Sequence, residues 1–274
     1  MANASRWLEI ATLNHFFRNT SVTSPAQTFL ALYTSDPTEF DTGMEISGGG
    51  YVRQQITWGT PSQVAGISTI SNNNAIAFPE ATSDWTSAGE KITHWGIRTA
   101  VTGGNLLAYG EFTDPTSIND GKYDVTVNDQ FNVGIGRINL QFKNRASLWL
   151  QSAALNHFFR SVPVPSPQEV YLALYRTDPT PENIGAEISY QGYSRQLITF
   201  DQPLQTSATA EIRNSQTINF PINNVETPPI VSFGIHTDMT GGELVAFGSW
   251  NIGRSLLAGM QFSVGDGGLE ISMD

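Results

Sequence analysis

The chain has 274 residues, no cysteine and a formal net charge of −11, which excludes a disulfide framework, thiolate metal sites and a cysteine nucleophile. That negative charge opposes wrapping of nucleic acid or docking on an anionic membrane, since both need clustered Lys and Arg. Charged residues make up only 14%, against about 25% in ordinary soluble domains, so Ser, Thr, Asn and Gln must build the polar surface, as in all-β, assembly-forming or extracellular proteins.

The N-terminus, Met1 to Arg6, has no basic stretch followed by an apolar core. No apolar run approaches the roughly 20 residues that span a bilayer, so a soluble product in the cytoplasm is expected. Trp7, Ile10, Leu13 and Phe17 recur at three- and four-residue intervals behind Ser5, a possible N-cap, and predict a helix closed by Pro25. This helix packs either on its own sheets or, through its Trp and paired Phe, on a neighbouring subunit.

Strand signals follow. Thr28 to Tyr33 is apolar on both faces, as a buried central strand is, and Asp36-Pro37 ends it with turn chemistry. Tyr51 to Trp58 alternates, placing Val52, Ile56 and Trp58 on one face and Arg53, Gln55 and Thr57 on the other. Between them Gly48-Gly49-Gly50 precedes a strand and lacks a following Lys-Ser or Lys-Thr, so it reads as a loop and not a phosphate cradle. Thr102-Gly103-Gly104 joins two strands, Trp95 to Thr99 and Leu106 to Phe112, with the glycine pair a tight hairpin needs. Phe131 to Gly134 and Arg137 to Phe142 complete the pattern.

The whole pattern then returns. Trp7 reappears as Trp149 (149 − 7 = 142), and Leu13-Asn14-His15-Phe16-Phe17-Arg18 returns at the same spacing as Leu155-Asn156-His157-Phe158-Phe159-Arg160. The spacing drops to 138 at Gly96 and Gly234 (234 − 96), because residues are missing from the loop around Trp85 to Lys91. It drops again to 131 at Phe131 and Phe262 (262 − 131). We therefore expect an all-β fold with one short N-terminal helix per repeat. It should form two tandem antiparallel β-sandwich domains, residues 1–144 and 145–274, each with six to eight strands. The linker near Lys143 to Ala146 is short, which predicts a fixed relative orientation.

Chemistry-bearing residues are few. His15 and His157 match between the repeats but lack a second ligand at metal spacing, so helix packing or a bond to a nearby carbonyl is the simpler role. His94 and His236 occupy unmatched positions and read as individual surface choices. Asp36 with Asp178 and Glu45 with Glu187 are the matched carboxylates. An acid/base pair is conceivable, yet Asp-Pro-Thr is first a turn, and Arg53 and Arg195 are natural partners for the two glutamates. No catalytic, metal or cofactor site is predicted. Trp7, Phe16, Phe17, Trp149, Phe158 and Phe159 are the candidate assembly surface. Trp85 and Tyr123 are candidate loop aromatics for stacking on a glycan, with core packing as the alternative.

Taken as a set, Leu30 to Pro37, Glu45 to Arg53, Ile76 to Pro79, Thr93 to Ile97 and Thr102 to Gly110 resemble a family of small tailed-bacteriophage virion proteins. These are commonly labelled tail fibre or minor tail proteins, and one copy of the pattern fills such a chain. The second copy departs from it at Tyr190-Gln191-Gly192. The resemblance implies a non-enzymatic virion component, made in the host cytoplasm, whose partners are other tail, connector, fibre or capsid proteins. A homo-oligomer is expected, and a trimer could offer six similar faces to a six-fold tail ring. A capsid decoration protein and a host-glycan receptor module are the alternatives.

Overall fold

The computed structural model describes residues 2–113, 122–142, 145–206 and 209–273; the boundary expected at residue 144 lies outside them. Two helices of equal length stand where the repeats begin: α1 (Arg6–Phe17) and α2 (Leu148–Phe159). Ser5 and Ser147 are their N-caps, each hydroxyl accepting the third residue's N–H, at 3.2 Å from Leu8 and 3.0 Å from Leu150. Both helices stop well before the prolines. Arg18 and Arg160 are the C-caps, and Asn19 and Ser161 turn into the left-handed region (φ 50° and 55°).

The rest is antiparallel β-structure, as the sequence predicts. In the first half a five-stranded sheet runs in the order Asn3–Ala4, Leu106–Glu111, His94–Arg98, Thr28–Tyr33, Gln54–Ile56. A three-stranded sheet (Asn139–Phe142, Ile67–Ser71, Ser62–Val64) and the pair Ile76–Ala77 with Asn132–Val133 accompany it. The second half repeats this plan. Its large sheet is ordered Gln196–Ile198, Val170–Tyr175, Ile230–His236, Leu244–Arg254. Its small sheets are Leu204–Gln205, Ala210–Arg213, Glu270–Met273 and the pair Ile218–Asn219 with Ser263–Val264. Gly103 and Gly104, like Gly241 and Gly242, have positive φ (61°, 70°, 67°, 67°), but the connection is longer than the tight hairpin expected: the Thr99 and Thr237 N–H groups bond the carbonyls of Asn105 and Glu243, and the glycine pair turns the chain inside that loop.

Two further local expectations need correction. Among the described residues the halves carry ten and nine strand segments, more than six to eight, because several are only two residues long. The stretch from Tyr51 starts as a strand only at Gln54, after a turn with three consecutive positive-φ glycines. Alternation therefore fails before that point: Val52 is exposed and Arg53 is buried.

The core sits between the halves. Helix α1 packs on Leu106–Glu111 of its own large sheet and on Ala210–Arg213 of the other half's small sheet. Helix α2 does the reverse, packing on Leu244–Arg254 and on Ile67–Ser71 and Asn139–Phe142. Each helix is thus enclosed on two sides, and even Glu9, Thr12 and Gln151 are buried. Enclosure explains why neither helix shows a polar stripe. Buried side chains of both halves form one contiguous hydrophobic cluster.

Candidate functional site

The six aromatic residues predicted as an assembly surface all pack on aromatic rings of the opposite half of this one chain. Trp7 lies edge-on to Phe158 (6.2 Å between centroids) and Trp149 edge-on to Phe16 (5.9 Å). Phe159 packs against Trp58 (5.8 Å), and Phe17 against Phe200 (6.1 Å), the residue matching Trp58. Every contact has its mirror, which is the mark of a two-fold relation. Phe16 and Phe158 are 0% exposed, so the partner these rings have found is the other half of their own chain.

The matched histidines lie where the halves cross. His15 and His157 face each other with ring centroids 4.2 Å apart and planes tilted by 39°. Each Nε2 bonds a carbonyl of the opposite half, His15 to Val164 (2.9 Å) and His157 to Val22 (2.8 Å). Each Nδ1 accepts a backbone N–H of its own half, from Val22 and Val164 (both 3.1 Å). An acceptor Nδ1 and a donor Nε2 define the neutral ring. Burial holds both below the usual histidine range, and for His15 the facing His157 adds to it. The predicted carbonyl bond is present, but it crosses between halves. Ser24 and Ser166 add hydroxyl bonds to the carbonyls of His157 and His15.

The matched carboxylates are structural in their contacts. Glu45 takes a two-pronged ion pair from Arg53 (2.6 and 2.7 Å) and a bond from the Tyr51 hydroxyl (3.2 Å). Tyr51 in turn accepts the Leu32 N–H, and Arg53 caps the carbonyls of Ala100 and Gly103 at the hairpin. Glu187, Tyr193, Leu174 and Arg195 repeat the arrangement, with Arg195 on Asp238 and Gly241. Burial, then the neighbouring glutamate, pushes the Tyr51 and Tyr193 hydroxyls far up. Asp36 accepts the Thr38 N–H at 2.9 Å, the turn bond its motif predicts. Among the described residues no cluster of three His, Cys, Asp or Glu side chains is set to hold a metal.

The two loop aromatics differ in exposure. Trp85 is 5% exposed, edge-on to Tyr51 and Phe78, and its indole N–H donates to the Gly49 carbonyl at 2.9 Å. Tyr123 is half-buried against Phe112 and Phe131. Sequence reasoning missed two residues here. Tyr190 replaces Trp85 as the edge-on neighbour of Tyr193 (5.3 Å), arriving from the glycine-run side because the loop bearing a tryptophan is shortened. His236, read as a surface choice, is 1% exposed, bonds the Tyr175 hydroxyl at 2.8 Å, and is held down to about 4 by burial and Arg195. It stands at the place of Arg98, which in the first half bonds Tyr33 and pairs with Asp41. The signal was the shared hairpin register, legible once Gly96 and Gly234 are aligned.

The halves differ in surface chemistry at one loop corner. Exposed Ile222, Val225, Leu257 and Met260 gather around buried Asn223, whose amide bonds the carbonyls of Val225 and Leu257. The matching corner of the first half, joined by the same backbone bonds, carries Glu80, Ser83, Thr126 and Asp129, with Val127 as its exposed large apolar side chain.

A family model described as Podophage GP4 fiber I protein gp80 matches residues 3–141 and 145–272. No curated protein matches the chain.

Proposed function

The chain belongs to the podophage fibre family described as Podophage GP4 fiber I protein gp80, a phage tail fibre family and so a component of the virion, and from that premise we propose that it is a non-enzymatic, two-faced assembly subunit. Its mechanism is surface burial between virion proteins. The observation that carries this reading is the pair of matched corners of unlike chemistry, one apolar and one mostly polar, on a body whose halves share one core. A subunit that joins unlike neighbours needs both unlike faces and a fixed relation between them.

The recurrence of the pattern in two segments supports a tandem duplication, with later divergence of the second copy at Tyr190-Gln191-Gly192 and at the apolar corner. The reciprocal junction favours a two-fold relation between the halves. A two-fold is not the 60° rotation that six equivalent faces in one ring would need, which speaks against such a ring in a trimer. A place on the tail, rather than capsid decoration, fits the fibre family. Glycan binding through Trp85 has no support, because its ring is enclosed.

The test is incorporation into particles. Antibody-gold labelling of intact virions should decorate the tail. Replacing exposed Leu257 and Met260 by Asp should remove the label while leaving the purified protein's melting temperature nearly unchanged. Label spread over the head would contradict the tail role, and unimpaired incorporation of the variant would contradict the role of the apolar corner.

A further inference from the structure

An open cleft of about 270 Å³ lies in the first half between Asn3, Asp36, His94, Tyr109 and Glu111. Its meaning comes from the matching place in the second half, where an arginine lies. Arg145 corresponds to Asn3: the Ala4–Ala108 pairing recurs as Ala146–Ala246, and Phe247 donates its N–H to the Arg145 carbonyl. The Arg145 guanidinium lies over the Phe247 ring (5.7 Å) and donates to the Ser249 hydroxyl at 3.3 Å, which donates to Asp178 at 3.0 Å. Phe247, Ser249 and Asp178 are the counterparts of Tyr109, Glu111 and Asp36.

In the first half the aromatic ring and the aspartate remain, the serine is replaced by a carboxylate, and the arginine by a short asparagine. Charge has changed in the same direction around the site. Asp36, Glu39 and Glu9 all act on the Tyr109 hydroxyl, which burial and then these carboxylates push up, whereas the positions matching Glu39 and Glu9 are Pro181 and Gln151. Arg6, which follows this strand, is turned to another partner: its guanidinium lies over Phe40 (5.6 Å), and its backbone N–H is bonded to Glu39. A second cleft of about 290 Å³ shares Gly248 and Ser249, the counterparts of Gly110 and Glu111, but is lined beyond them by Phe233, Trp250 and Glu270 and not by Asp178 or Arg145.

We infer that the cleft between Asp36, Tyr109 and Glu111 is a receptor for an arginine side chain supplied by another polypeptide, bound as Arg145 is bound in the second half. A planar guanidinium suits the site because its fork can donate to two carboxylates, Asp36 and Glu111, beside the edge of the buried Tyr109 ring. The donor is a different, basic protein. This chain carries 25 acidic against 14 basic residues, so two copies repel each other and a basic protein is the better source of the guanidinium.

The test is an NMR titration of the full chain with Nα-acetyl-arginine methylamide. Gly110 and Glu111 amide signals should move saturably, and the neutral citrulline analogue should leave them in place. The D36N/E111Q variant, with an otherwise unchanged spectrum, should bind roughly tenfold more weakly or worse, the loss expected for a charge-assisted hydrogen bond. Arg145→Ala should gain a response at Gly248, where the matched cleft is emptied. Equal responses to the two analogues, an unaffected double variant, or no gain in Arg145→Ala would each overturn the assignment. In sedimentation the wild type and the double variant should behave alike; self-association lost in the variant would place a second copy's arginine in the cleft and overturn the choice of partner.

Discussion

Phe16 and Phe158 show how single residues carry the joint between halves. Each is fully buried at the crossing of the two helices, and truncating such a ring removes both transfer energy and packing. Phe158→Ala should cost about 3–5 kcal/mol, read as a lowered denaturant midpoint, and Phe16→Ala should cost a similar amount because its contacts mirror those of Phe158. A second prediction concerns acid. Unfolded histidines take up a proton near pH 6.5, whereas His236 in the folded chain does so only near 4, and His15 and His157 are shifted the same way. Between those values the unfolded chain binds more protons, so stability is full above about pH 6.5 and falls as pH drops toward about 4. His236 alone accounts for on the order of 3 kcal/mol of that fall. Denaturant midpoints of the wild type and His236→Gln across this range check it; an equally steep fall in the variant would assign the loss elsewhere. A third residue, Gly49, has φ +54°, and a Cβ there would stand 2.6 Å from the Ser83 carbonyl and 2.7 Å from Trp85. Gly49→Ala should therefore destabilise, although Gln191 is accommodated at the matched position, where Tyr190 replaces the tryptophan. Equal stability of Gly49→Ala and the wild type would contradict this packing.

Among the elements, the hairpin of each large sheet is held by a part-buried ion pair and not by its turn alone. Arg53 joins Glu45 to two hairpin carbonyls, so Arg53→Met leaves a part-buried carboxylate and two carbonyls without their donor. The expected loss is about 3–5 kcal/mol, and Arg53→Lys should recover little, since an ammonium cannot reach both carboxylate oxygens and both carbonyls. Thermal melts of the two variants test this; full rescue by Lys would reduce the role to charge. This pairing was readable beforehand, because Glu45, Arg53 and their counterparts recur at identical spacing. The caps at Ser5 and Ser147 and the positive φ of the glycine pairs were readable for the same reason: short-range chemistry determines them. The helix ends were not, since Asn19 and Ser161 enter the left-handed region with no glycine to announce it. Nor was the inward turn of Arg53, because the glycine run resets the strand phase.

At the scale of the molecule, the repeat was legible and the way its copies interlock was not. Periodicity places Trp7 and Phe17 on a helix, but no local signal says that the sheet facing Phe17 contains Phe200 of the other half. The exchange is a long-range packing choice, and it makes Trp7, Phe158, Trp149 and Phe16 an internal joint. The difference between the two Arg145-type positions was equally hidden, since it appears only when the two strand registers are superposed. A chain built this way should unfold as one unit, because neither large sheet keeps its helix covered once the other half opens. Scanning calorimetry of the intact chain tests this most directly. The account predicts a single transition, with calorimetric and van't Hoff enthalpies equal, that moves as a whole in Phe158→Ala. Two separable transitions, only one of them shifted by that substitution, would show that the halves are independent domains and would contradict it.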